Sequence, residues 1–93
     1  MKQIMDALIL AKKVKERKKL MQNAAAQNLK AKRDAENMTQ EAAAERCDVS
    51  PKTIMRIENG QQNFTLKLAL QICVGMEMTL HELLGDYIDQ EIV

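Results

Sequence analysis

The stretch TQEAAAERCDVSPKTIMRIENG, Thr39 to Gly60, decides how this chain folds. Thr39 places a capping oxygen ahead of an alanine-rich run, which predicts a short helix from Gln40 to Cys47. Asp48 and Val49 form a tight connection. Ser50-Pro51 then starts a second helix, because Ser caps the free N–H groups and Pro fits the first helical turn. That helix runs to about Glu58 and stops at Asn59-Gly60, residues suited to a helix C-terminus. Ala44 is small where the two helices must approach closely, and Val49 plugs the turn into the core. Ile54 and Ile57, three residues apart, face inward. Lys52, Thr53, Arg56 and, at the margin, Met55 are left on the outward side. An exposed helix start with polar and cationic side chains can enter a major groove. Its N-terminal end also favours phosphate.

Working outward, Met1 to Glu36 contains no Pro or Gly. Apolar residues fall at Ile4, Leu8, Ala11, Val14, Met21, Ala25 and Leu29, a single helical stripe interrupted by Lys18. The pattern predicts helix, either one long element or two divided near Asn23 or Asn28. Asn37 breaks it, since Asn tolerates the left-handed conformation. On the other side, Gln61 to Phe64 is a polar loop and Thr65 caps a fourth helix. Leu66, Ala69, Leu70, Cys73 and Val74 are expected on its buried face, and Gly75 at its end. Thr79 and Glu82 form a capping box, with Met78 and Leu83 as a hydrophobic staple, for a fifth helix that Gly85 ends. Residues 86–93 are an acidic tail carrying Tyr87, Ile88, Ile92 and Val93.

Composition narrows the choices. Ninety-three residues make one domain. Tyr87 and Phe64 are the only aromatics, so Leu, Ile, Val, Ala and seven Met must fill the core, which suits packed helices better than a sheet. The net charge is only +1 but it is polarised: residues 1–27 hold seven Lys/Arg against two acids, 28–60 hold six of each, and 61–93 hold one against five. Cys47 and Cys73 sit in helical patterns and read as small buried hydrophobes rather than a disulfide. With His81 the one histidine, a zinc site is not expected and no cofactor is implied. The N-terminal apolar run is too short for a secretory signal and is followed by lysines. No segment approaches the roughly 20 apolar residues of a membrane span. A cytoplasmic protein without a membrane partner is expected. No nucleophile, base and orienting group fall together, so an enzyme is not expected. The basic run KKVKERKK, Lys12 to Lys19, stays open between a solvated face, added contact with DNA phosphate, a helix that meets a partner or a second copy, and, since residues 1–20 are basic and partly amphipathic, contact with a membrane surface.

"KR" at Lys32-Arg33, "TQEAAAE" at 39–45, "VSPKTIMRIENG" at 49–60 and "TLHELLG" at 79–85 together resemble the Cro/phage-repressor helix-turn-helix family, also named Xre. The resemblance spans about Asn28 to Gly85. It implies an all-α fold: a five-helix phage-repressor-like domain over residues 28–85, here with an additional N-terminal helix, a basic extension at 1–27. Within that domain the second and third helices read DNA. The resemblance implies base contacts from Pro51, Lys52, Thr53 and Arg56, with guanine preferred by Lys52 and Arg56. It gives phosphate contacts to Gln40, Ser50, Gln61, Gln62 and Asn63, and a structural ion pair to Arg33 and Glu58, with Arg33 also near phosphate. Asp48 and Asn37 stand where Gly is common, and Asp48 adopts positive φ only at some cost. The expected role is a sequence-specific transcriptional regulator, a repressor that binds double-stranded DNA as a homodimer. The alternative is an antitoxin-type module with a toxin partner, or a protein-interaction module of the same fold.

Overall fold

In the computed structural model the backbone is described for residues 2–85 and the side chains from residue 7. The acidic tail, with Tyr87, Ile88, Ile92 and Val93, lies outside the described residues, as does the side chain of Ile4. Four helices run in order: α1 (Lys2–Ala35), α2 (Gln40–Cys47), α3 (Pro51–Glu58) and α4 (Leu66–Met76). Residues 80–85 belong to a fifth, α5. The described residues contain no strand.

Helix boundaries follow local chemistry. Thr39, Ser50 and Thr65 each accept a backbone N–H three residues on, from Ala42, Thr53 and Leu68. Thr79 and Glu82 exchange bonds reciprocally at 2.9 and 3.0 Å, the capping box that starts α5. The turns close on left-handed residues: Asn37 at φ 52, Asp48 at φ 56, Gly60 at φ 70 and Glu77 at φ 55. Three of these four carry a Cβ, a strain of about 1–2 kcal/mol each that the surrounding packing must offset.

The N-terminal extension is not a separate element. α1 is unbroken from residue 2 to residue 35, about 50 Å long. Asn23 and Asn28 lie inside it, and the Asn28 amide reaches across to donate to the Leu83 carbonyl at 2.8 Å, tying α1 to α5. Only the C-terminal part of α1 enters the core, through Ala24, Ala25 and Leu29. Every side chain from Ala7 to Leu20 is exposed, so Leu8, Ala11 and Val14 do not pack onto the domain.

The core gathers Leu29, Ile54, Ile57, Ile72, Met76 and Leu83, all fully buried, around Ala43, Ala44 and Cys47. α4 differs from its expected register. Ala69 and Cys73 are buried as expected, but with Ile72 and Met76, while Leu66, Leu70 and Val74 are exposed. α4 is apolar nearly all round, so spacing alone admits two buried faces, and packing against α2 selects one. Gly75 does not end α4 either. The helix continues to Met76 and closes at Glu77. Gly75 is glycine because a Cβ there would lie 2.6 Å from the Arg46 carbonyl oxygen and from the Cys47 Cα.

Both cysteines are free and buried, and burial pushes both thiols above the ordinary value of 9.0. A raised folded pKa means that unfolded thiols ionise first, so this contribution to stability is intact below about pH 9 and declines as the pH rises beyond it. The denaturation midpoint is expected to fall between pH 8 and 10, and less so in a Cys47→Ala/Cys73→Ala chain. An equal fall in both chains would disprove the thiol origin.

Candidate nucleic-acid interface

α2 and α3 make a helix–turn–helix. Asp48 and Val49 donate back to Glu45 and Ala44, which closes α2. Ser50 then opens α3, and its Oγ accepts from the Thr53 N–H at 3.2 Å and lies 3.0 Å from the Thr53 Oγ1. The Gln71 amide reaches the carbonyls of Cys47 and Asp48 at 3.5 and 3.3 Å and clasps the turn from α4.

α3 buries one side and presents the other. Ile54 and Ile57 are fully buried, while Pro51, Lys52, Met55, Arg56 and Asn59 are exposed and Thr53 is half-buried. Lys52 and Arg56, four residues apart, stand on consecutive turns of the exposed side. The five exposed residues from Pro51 to Asn59 include two cations and no acid.

The orientation of α3 is set by a polar knot at its far end. Arg33 Nε and Nη2 donate to the two carboxylate oxygens of Glu58 at 2.8 and 3.0 Å, a two-pronged pair. Arg33 Nη1 donates to the Met38 carbonyl at 2.8 Å, and Gln40 Nε2 donates to Glu58 at 3.2 Å. Hydrogen bonding to Glu58 raises the Arg33 pKa above its ordinary range. The Glu58 carboxylate thus joins α1, α2 and α3, and the Arg33 guanidinium adds the α1–α2 corner. The guanidinium of Arg33 is committed to these partners, and its side chain is 14% exposed, so it is placed as a brace rather than as a surface cation.

Gln61, Gln62 and Asn63 follow α3 directly. The Gln61 N–H is bonded to the Arg56 carbonyl at 2.9 Å, and Gln62 Nε2 donates to the Asn63 carbonyl at 3.0 Å. The loop is also anchored from α1, where Gln22 Nε2 donates to the Gln62 carbonyl at 3.0 Å and meets Asn63 Oδ1 at 3.4 Å. The sequence pattern assigns Gln22, Asn28 and Gln71 no such anchoring role. The one signal for Gln22 is its register. It lies three and seven residues before Ala25 and Leu29, a polar residue on an apolar stripe.

A capped, braced α3 seated on α2 is a helix-turn-helix, the unit of DNA-binding transcription regulators. The chain belongs to the Cro/C1-type, Xre-like helix-turn-helix family: the family model described as Helix-turn-helix (HTH_3) matches residues 29–83. Two solved structures share the fold. Both are mutants of the restriction-modification controller protein C.Esp1396I. One, a tyrosine-to-phenylalanine mutant, is 24% identical, with a TM-score of 0.64 over 77% of this chain and 91% of that one. The other, a threonine-to-alanine mutant, is 23% identical, with a TM-score of 0.63 over 78% of this chain and 97% of that one. No curated protein sequence matches the chain.

Proposed function

We propose that the protein is a transcriptional repressor that acts in the cytoplasm and binds a partly palindromic operator as a homodimer. Two copies of α3 would enter the major groove at half-sites about 34 Å apart, one helical turn. Lys52 and Arg56 donate to guanine O6 and N7, the commonest specific contact of such side chains. Pro51 touches a thymine methyl, and Thr53 is a neighbouring contact. Gln40, Ser50, Gln61, Gln62 and Asn63 fix the register on phosphates. The observation that carries this reading is the outward face of α3, cationic, acid-free and set above buried Ile54 and Ile57. The resemblance to a protein described as a controller supports a regulatory role.

Selection of bound sequences from a random duplex pool tests it, with recovery of a two-fold-related motif as the expected result. Arg56→Ala is then expected to weaken binding by about 1–3 kcal/mol per half-site and to relax preference at one base pair of each. Equal weakening on every sequence would reassign Arg56 to a phosphate.

A second reading rests on a different observation. Leu66, Leu70 and Val74 form an exposed apolar stripe on α4, beside a groove of about 420 Å³ that Arg46, Asp48 and Gln71 help to line. Such a stripe fits an antitoxin-type module with a toxin partner. A small toxic reading frame beside the gene, whose product binds wild-type protein and not a Leu70→Glu variant, is what this reading requires.

A further inference from the structure

We propose that the exposed N-terminal part of α1 is a second duplex-binding surface, on which Lys15, Lys18 and Lys19 hold backbone phosphates outside the half-site read by α3. The proposal rests on the DNA-binding reading above and extends it along the duplex.

Four observations carry it. First, α1 is continuous from residue 2 to residue 35 without Pro or Gly, so the core positions at Ala25 and Leu29 fix the direction of the extension. Second, side chains 7–20 are all exposed. Helices without tertiary packing are marginal in water, so this length of helix gains from a surface to lie on. Third, the extension leaves the domain at the loop placed on phosphate: Gln22 is bonded to Gln62 and Asn63. Fourth, the helical period puts the lysines on the same side. Lys15, Lys18 and Lys19 precede Gln22 by seven, four and three residues, within about 60° of its direction, whereas Lys13 falls on the opposite side.

The electrostatics are complementary. Residues 12–19 carry six cations against Glu16 alone, and the loop that Gln22 anchors, Gln61 to Asn63, is neutral. Lys15 to Lys19 span about 6 Å of helix. Duplex DNA offers one negative charge per about 1.7 Å of axis, so several phosphates fall within reach of the three ammonium groups. A second copy of the chain is the less favoured occupant. Leu8 and Ala11 lie near the same face, but symmetric pairing of two such helices would bring two sets of lysines together.

The test is the salt dependence of binding by the full chain to a selected operator, on a long duplex and on one trimmed to the half-sites. Every phosphate that is no longer neutralised should reduce the slope of log K against log salt by about 0.9. The Lys15→Gln/Lys18→Gln/Lys19→Gln variant should lose about 2–3 units of slope per protomer, and so about 5 for the operator-bound dimer, on the long duplex, keep its base preference, and no longer distinguish the two duplexes. Lys13→Gln should keep the wild-type slope to within about half a unit. An unchanged slope in the triple variant overturns the proposal while leaving the α3 reading intact. Wild-type protein that binds no duplex at low salt would overturn the α3 reading itself, and this proposal with it.

Discussion

Glu58→Ala is expected to lower stability by about 3 kcal/mol, and to weaken operator binding although Glu58 itself would not touch DNA. The Glu58 side chain is 5% exposed and accepts from Arg33 twice and from Gln40 once. Removing it strands a guanidinium that is also largely out of water. Breaking a buried pair by deleting one partner costs about 3–5 kcal/mol. The lower end applies here, because Arg33 keeps its bond to the Met38 carbonyl and has Asp34 at 3.5 Å. For a domain of this size the thermal midpoint should drop by about 15 °C. The destabilisation belongs to the stranded charge, so the double variant Arg33→Met/Glu58→Leu should recover more than half of it. Operator affinity should not recover in parallel, because α3 would lose its polar tie to the α1–α2 corner and with it a fixed angle. A double variant as unstable as Glu58→Ala would show that the network acts through packing instead.

What the sequence displays and what it hides divide along contact range. Caps are local: Thr39, Ser50, Thr65 and the Thr79–Glu82 pair each act over three residues, so helix starts can be read from neighbours alone. The turn is local as well, since Asn37 and Asp48 are residue types that tolerate a left-handed φ. The outward placement of Lys52 and Arg56 follows from the spacing of Ile54 and Ile57. The braces between elements are not local. Gln22 reaches over forty residues to the loop, Asn28 over fifty-five to α5, and Gln71 over twenty-three to the turn. Nothing in a one-dimensional pattern pairs them. α4 is hidden for a different reason. Its apolar residues leave no polar side to mark solvent, so Leu66, Leu70 and Val74 look as buried in sequence as Ile72 and Met76. The same ambiguity covers α1, where a uniform helical pattern conceals the point at which packing ends and an exposed rod begins.

Gly75 looks like a helix stop in sequence but is a point of close approach, and its replacement gives the other large effect. In an unstrained helical position Gly→Ala stabilises by about 1 kcal/mol, because alanine loses less backbone entropy. At Gly75 the sign should reverse. The added Cβ would sit 2.6 Å from the Arg46 carbonyl oxygen and from the Cys47 Cα, and those backbone atoms cannot rotate away as a side-chain tip could. α2 and α4 must move apart by most of an ångström. That shift would loosen the packing of Ile72 and Met76 and disturb the Gln71 clasp on the turn. Overpacking of this kind costs about 1–3 kcal/mol, and the rigid neighbour places Gly75→Ala at the upper end, near 3. Gly85 supplies the control, since the nearest atoms to its added Cβ among the described residues are those of the His81 ring, at 3.4 Å and beyond, an ordinary contact distance. Gly85→Ala should therefore be neutral or slightly stabilising. Thermal unfolding of the two variants side by side decides the matter. A Gly75→Ala chain as stable as wild type would mean that α2 and α4 do not approach this closely, and something other than their backbone-to-backbone packing would have to seat the helix-turn-helix.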